Sequence, residues 1–149
     1  MQQLNLPAHD FKVKHEGKKT QIFDSVRKKF VTLTPEEWVR QHFIQYLISE
    51  KKVPAQLIAV EMGLKYIELK KRSDVVVYNK EGKPVLIVEC KAPAIKITQD
   101  TFDQIARYNM TLKVKYLAVT NGIRHFYCQV DHKNGSYFFL KELPVYSSL

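Results

Sequence analysis

The stretch from Arg72 to Pro93, RSDVVVYNKEGKPVLIVECKAP, constrains the fold more than any other part of the chain. Two β-branched runs, Val75–Val77 and Val85–Val88, flank the polar segment Asn79-Lys80-Glu81-Gly82, which is a hairpin signal. The second run is apolar on both faces of an extended strand, with Val85 and Ile87 on one and Leu86, Val88 and Cys90 on the other. A strand covered on both sides belongs in the middle of a sheet, between layers of helix. A four-residue turn at 79–82, or a two-residue turn at Lys80-Glu81, sets Tyr78 opposite Lys83, Asp74 opposite Ile87 and Arg72 opposite Glu89. Arg72, Asp74, Ile87, Glu89 and Lys91 then share one face, with Asp74 and Glu89 diagonal neighbours roughly 7–8 Å apart at the backbone. An odd-length turn would turn every one of these side chains to the other face. Acids and a lysine at the end of a buried strand need a partner. A cation site and an ion pair, Glu89–Lys91 or Arg72–Glu89, both satisfy that requirement.

A chain of 149 residues, 45% hydrophobic and 26% charged, suffices for one soluble domain with a proper core. Lys plus Arg is 24 against 15 Asp plus Glu, a net charge of +9. That balance favours a polyanionic partner, nucleic acid first and an acidic membrane second. The two cysteines, Cys90 and Cys128, lie in strand-like runs without metal-ligand spacing, as expected of buried thiols in a reducing compartment. No apolar leader opens the chain and no run reaches spanning length, so a cytoplasmic protein without a membrane segment is expected.

Residues 1–10 read as a loosely ordered lead, and Phe11–Lys14 and Thr20–Phe23 as a basic surface hairpin carrying Lys12, Lys14, Lys18 and Lys19. Val26–Thr32 adds Arg27, Lys28 and Lys29. Thr34-Pro35-Glu36-Glu37 is a helix start, with Thr34 as N-cap, Pro35 in the first turn and Glu37 closing a capping box. The helix runs to about Glu50 and turns Val39, Phe43, Tyr46 and Leu47 inward. Glu37 is explained by the cap, which leaves Glu36 as the functional candidate of the pair. Helix-dipole compensation and a pair with Arg40 are its structural alternatives. Leu57–Leu69 reads as extended, with Gly63 a bulge. A second helix follows from Thr98 to about Leu112, then strands at Val114–Thr120, Ile123–Val130 and Tyr137–Leu143, with Asn-Gly turns between them. Helix, three strands, helix and strand make an α/β fold with a mixed sheet. The strands at Val85 and Val114 should lie parallel, or nearly neighbouring, across a crossover. One domain spans 1–149: a basic arm over 1–30, a core over 31–130 and a C-terminal strand and tail over 131–149.

Four local patterns together resemble a known family: TPEEWVRQ at Thr34–Gln41, KRSDVVVYN at Lys71–Asn79, VECKAP at Val88–Pro93 and QIARY at Gln104–Tyr108. The chain resembles the PD-(D/E)xK nuclease superfamily, and within it the N-terminal nuclease domain of the restriction subunits of type I restriction enzymes. Ser73 stands where the family's motif has proline. The resemblance implies a restriction-endonuclease-like αβββαβ core and a DNA endonuclease activity dependent on Mg²⁺ or Mn²⁺. It implies metal ligation by Asp74, Glu89 and the Cys90 carbonyl, with Glu36 completing the outer ligand set. Lys91 would position or deprotonate the nucleophile and neutralise phosphate charge; two nearby carboxylates work against an uncharged base form, which favours the electrostatic role. Gln104 and Tyr108, one turn apart on one helix face, would orient that lysine or touch DNA; an ordinary amphipathic helix is the alternative.

Arg72, Lys70 and Lys71 are the expected phosphate contacts at the site, joined by the basic clusters at 12–19, 27–29 and 51–52. His42 and His125 read as structural. DNA is the implied partner, with motor, specificity or methyltransferase subunits of a restriction system beside it. No Walker-type loop is present, so the helicase motor of those subunits is absent from this chain. A non-catalytic nucleic-acid-binding or assembly module is the competing function.

Overall fold

The structure, a computed structural model, describes residues 1–60, 75–110 and 112–149, less the side chain of Tyr108. A small antiparallel sheet comes first: β1 (Val13–Glu16), β2 (Lys19–Asp24) and β3 (Lys29–Thr32), in that order. Helix α1 (Pro35–Ser49) follows, then β4 (Ile58–Val60), β5 (Val75–Tyr78), β6 (Pro84–Cys90), α2 (Gln99–Met110), β7 (Tyr116–Thr120), β8 (His125–Asp131) and β9 (Ser136–Leu140). Strands β4 to β9 form one six-stranded sheet in sequence order. All its pairs are antiparallel except β6 with β7, which is parallel. The α/β class and the parallel pairing across α2 agree with the sequence.

Strand β6 explains the layering. Leu86, Val88 and Cys90 pack with Val39, Phe43, Ile44 and Leu47 of α1. Ile87 packs with Phe102, Ile105 and Ala106 of α2. Alternate residues of one strand therefore feed two cores, one on each side of the sheet. Each fully buried side chain of this size contributes about 1.5–3 kcal/mol. None of the helices among the described residues is long and apolar enough to cross a membrane.

Helix α1 starts where its sequence says. The Thr34 side chain accepts from the Glu37 amide at 3.0 Å, and Pro35 occupies the first turn, where no amide is needed. The chain leaves α1 through Lys52 in the left-handed region (φ 59), which returns the Val53 amide to the Leu47 carbonyl at 3.0 Å.

The β5–β6 hairpin departs from its expected register. Tyr78 pairs with Pro84 instead of Lys83, and Ile87 pairs with Val76 instead of Asp74. Two irregularities produce this. Asn79 pairs with Lys83 across an odd, three-residue turn in which Gly82 adopts φ 79. A bulge between Val77 and Tyr78 then adds a second one-residue shift. Two single shifts restore the parity, so Ile87 still shares its face with the even-numbered residues of β5. Asp74, Arg72 and the extended segment beyond Val60 lie outside the described residues.

The N-terminus also differs from expectation. The hairpin gains a third strand because Phe30 and Val31 pair with Phe23 and Ile22. The lead is docked: Leu4 joins the α1-side core, the Asn5 amide donates to the Gly122 carbonyl at 2.8 Å, and the Trp38 indole donates to the Gln2 carbonyl at 2.7 Å. Gly122 permits this approach. Its φ is +86, and a Cβ there would lie 2.8 Å from a methyl of Leu4.

Candidate functional site

The C-terminal end of β6 carries the acid–lysine pair. Glu89 alternates with Ile87, which places it on the α2 side of the sheet, and it is only 9% exposed. The Lys91 ammonium lies 3.5 Å from a Glu89 carboxylate oxygen. The Lys91 amide donates to the Thr120 carbonyl at 2.8 Å, carrying the parallel ladder one residue beyond the strand. Backbone hydrogen bonding thus fixes where the lysine leaves the sheet. Cys90, between the two, is fully buried on the opposite, α1 side, which leaves its backbone as the polar part near the site.

The loop after Lys91 is tied down by residues that the sequence reading did not single out. The Asn121 side chain donates to the Ile95 carbonyl at 2.9 Å, and its oxygen accepts from the Ile123 and Arg124 amides at 3.0 and 2.8 Å. The Asn-Gly pair signals a turn, which Asn121 makes. Its second task, bracing a loop 26 residues upstream, leaves no local trace. Thr120 and His125 lock the same corner. The His125 Nε2 donates to the Asn5 carbonyl, so its Nδ1 accepts from the Thr120 hydroxyl, which in turn accepts from the Gly122 amide. Burial lowers the His125 pKa. His42 donates to the Trp38 carbonyl one turn back, and burial lowers its pKa too. Both histidines are structural, as the sequence suggested.

The two acids of α1 have different surroundings. Glu36 is half-exposed, and its carboxylate sits 3.8 Å from Arg40. Glu37 is buried, and its carboxylate accepts from Arg27 at 2.9 Å, Arg40 at 2.6 Å and Gln41 at 2.8 Å. The cap therefore accounts for the Glu37 amide, whereas its carboxylate belongs to a buried polar cluster that the sequence reading missed. Asp24 completes that cluster, accepting from Arg27 at 2.5 Å and Gln41 at 3.0 Å. Burial pushes the Asp24 carboxyl up, but the hydrogen bonds from Arg27 and Gln41 outweigh it and hold the carboxyl below its ordinary value. Two carboxylates face two guanidinium groups here, so the charges of the cluster balance. Helix α1 packs on the sheet face opposite to Glu89. Glu36 is thus carried by the helix on the sheet face opposite to Glu89, where its described partner is Arg40.

On α2, Gln104 is exposed. Tyr108 lies in the same helix, but its side chain is outside the described residues, as are Asp74, Arg72, Lys70 and Lys71. Among the described residues no three acidic, histidine or cysteine side chains gather at one point. Of the side chains expected to ligate a cation there, the one described is the Glu89 carboxylate, a hard oxygen donor by its chemistry. Asp74 directly precedes Val75, whose partner across the ladder is Val88, the neighbour of Glu89.

Residues 35–144 match the protein family described as Type I restriction enzyme R protein N terminus. No curated protein matches the chain.

Proposed function

Because the chain belongs to the family of type I restriction enzyme R protein N-terminal domains, whose name suggests a role in restriction, we propose that it is a metal-dependent DNA endonuclease domain. The observation that carries this reading is the Glu89–Lys91 pair at the end of the doubly covered strand β6. A buried central strand ending in an acid and a lysine 3.5 Å apart places opposite charges at one fixed point. The element order α1, β4, β5, β6, α2, β7 among the described residues supports the same reading.

Asp74, Glu89 and the Cys90 carbonyl would hold Mg²⁺ or Mn²⁺, and their all-oxygen character fits such a hard ion. The ion, when bound, supplies Lewis acidity at the scissile phosphate and a more acidic water. Lys91 contributes a fixed ammonium that offsets charge building on the phosphate during attack. Its backbone bond to Thr120 and the Asn121 brace fix the backbone from which that ammonium extends, and Glu89 is its described partner. Glu36, half-exposed on α1, would orient water at the edge of the site, with Gln104 and Tyr108 acting from α2 on the lysine or the DNA backbone. Arg72, Lys70 and Lys71 would meet phosphates. DNA and the other subunits of a restriction system are the partners this role requires.

The test is plasmid nicking by the purified chain with Mg²⁺ or Mn²⁺. Lys91→Ala and Glu89→Ala should each slow nicking on the order of 100-fold or more, as loss of one preorganised electrostatic group does. Wild type and both variants nicking at one common background rate would end the proposal.

A further inference from the structure

The β1–β2–β3 sheet lies before residue 35 and so outside the matched region of the family. Its two faces differ sharply. Ile22 and Asp24 of β2 point inward and are fully buried, Asp24 reaching Gln41 on α1. The outer face carries Phe23 beside Phe30, with ring centroids 5.2 Å apart in an edge arrangement. The Lys14 ammonium stands 4.4 Å from the Phe30 centroid, and that of Lys12 stands 6.0 Å from Phe23. Lys19 alternates onto the same face, opposite Glu16, which is the acid there. Lys12, Lys14 and Lys19 are exposed, and both phenylalanines are half-buried. The face is thus an edge-packed pair of rings bordered by three lysines and one glutamate.

Rings of this kind accept any base by stacking, and lysines beside them meet the phosphates. Cation–π contacts on exposed rings are worth only about 0.5–1 kcal/mol, so the ammonium groups can leave the rings for phosphates at little cost. A rigid mount matters for stacking, and the Asp24–Arg27–Glu37–Arg40–Gln41 cluster supplies one by pinning β2 and its turn to α1. We propose that the outer face of the β1–β2–β3 sheet binds single-stranded nucleic acid, with bases stacked on Phe23 and Phe30 and phosphates met by Lys12, Lys14 and Lys19. Duplex ends its stacking inside the helix and offers these rings no base face.

The experiment is fluorescence anisotropy of the full chain with labelled oligothymidylate, oligouridylate and a duplex, in EDTA. Cleavage cannot occur there, so the result stands whether or not the nuclease proposal does. Phe30→Leu should weaken both single strands by about 5-fold or more, the scale of one lost stacking contact. It should leave the duplex unchanged, and Phe30→Tyr, which keeps the ring, should bind as wild type. The combined Lys12→Gln, Lys14→Gln, Lys19→Gln variant should flatten the single-strand salt dependence by about 0.7 per lysine in the log–log slope. The ratio of thymidylate to uridylate affinity identifies DNA or RNA as the preferred strand. Single-strand binding by folded Phe30→Leu equal to wild type, or equal losses on single strand and duplex, overturns the proposal. Should Phe30→Leu fail to fold, the lysine variant alters only exposed side chains, and single-strand affinity unchanged in it overturns the proposal equally.

Discussion

The Glu37 carboxylate accepts from two guanidinium groups below the surface, and truncating it leaves Arg27 and Arg40 short of a counter-charge. Breaking one partner out of a buried ionic group costs about 3–5 kcal/mol. Glu37→Ala should therefore lower the urea midpoint strongly, while Glu36→Ala, at a half-exposed position, should stay within about 0.5 kcal/mol of wild type. Equal losses for the two neighbours would refute this division of labour. Arg40 and Gln41 lie three and four residues on from Glu37, at helical spacing, yet the sequence pointed to Arg40 only as a partner of Glu36. Arg27 was not visible, because it arrives from a turn ten residues upstream and its approach depends on how β2 docks. The burial of Asp24 was hidden for the same reason: nothing local marks a strand-end acid as the seat of a cross-element cluster.

At the scale of elements, the hairpin shows which parts of a register a sequence can specify. Strands β5 and β6 and the two-sided burial of β6 follow from their apolar runs. The pairing does not, because the three-residue turn and the bulge are each compatible with the same run lengths. Parity survived because the core penalises any arrangement that turns Ile87 and Glu89 toward α1. Asn79 is what builds the turn: its side-chain oxygen accepts from the Glu81 amide at 3.0 Å and the Lys83 amide at 2.9 Å. Asn79→Ala should destabilise the protein by about 1–2 kcal/mol, a sum of two modest hydrogen bonds. A melting temperature unchanged from wild type would show that the strands alone set the register. The third N-terminal strand was illegible for a related reason. The Lys29–Thr32 run is only four residues long, and it becomes a strand only by adding to the edge of β2.

At the scale of the whole molecule, burial of titrating groups sets the pH range in which the fold holds. His42 and His125 both titrate below their ordinary 6.5, because burial disfavours the imidazolium. For a group with a depressed folded pKa, the unfolded chain takes up the proton first as pH falls. The contribution of both histidines is therefore complete above about pH 6.5 and is lost as pH drops through their folded values. Protonated His125 would donate from Nδ1 as well, so the Thr120 hydroxyl would have to turn from donor to acceptor at the corner where residues 1–5, β7 and β8 meet. Asp24 opens a second window. Its folded pKa lies below the ordinary 3.8, so its contribution holds above that value and disappears only in stronger acid. Urea midpoints should then fall in two steps, one beginning near pH 6.5 and one below about pH 4. His42→Gln with His125→Gln should flatten the first step and leave the second in place. A midpoint that rises as pH is lowered from about 7 to 5 would reverse the sign of the argument, and would mean that the imidazolium forms are the ones the fold prefers.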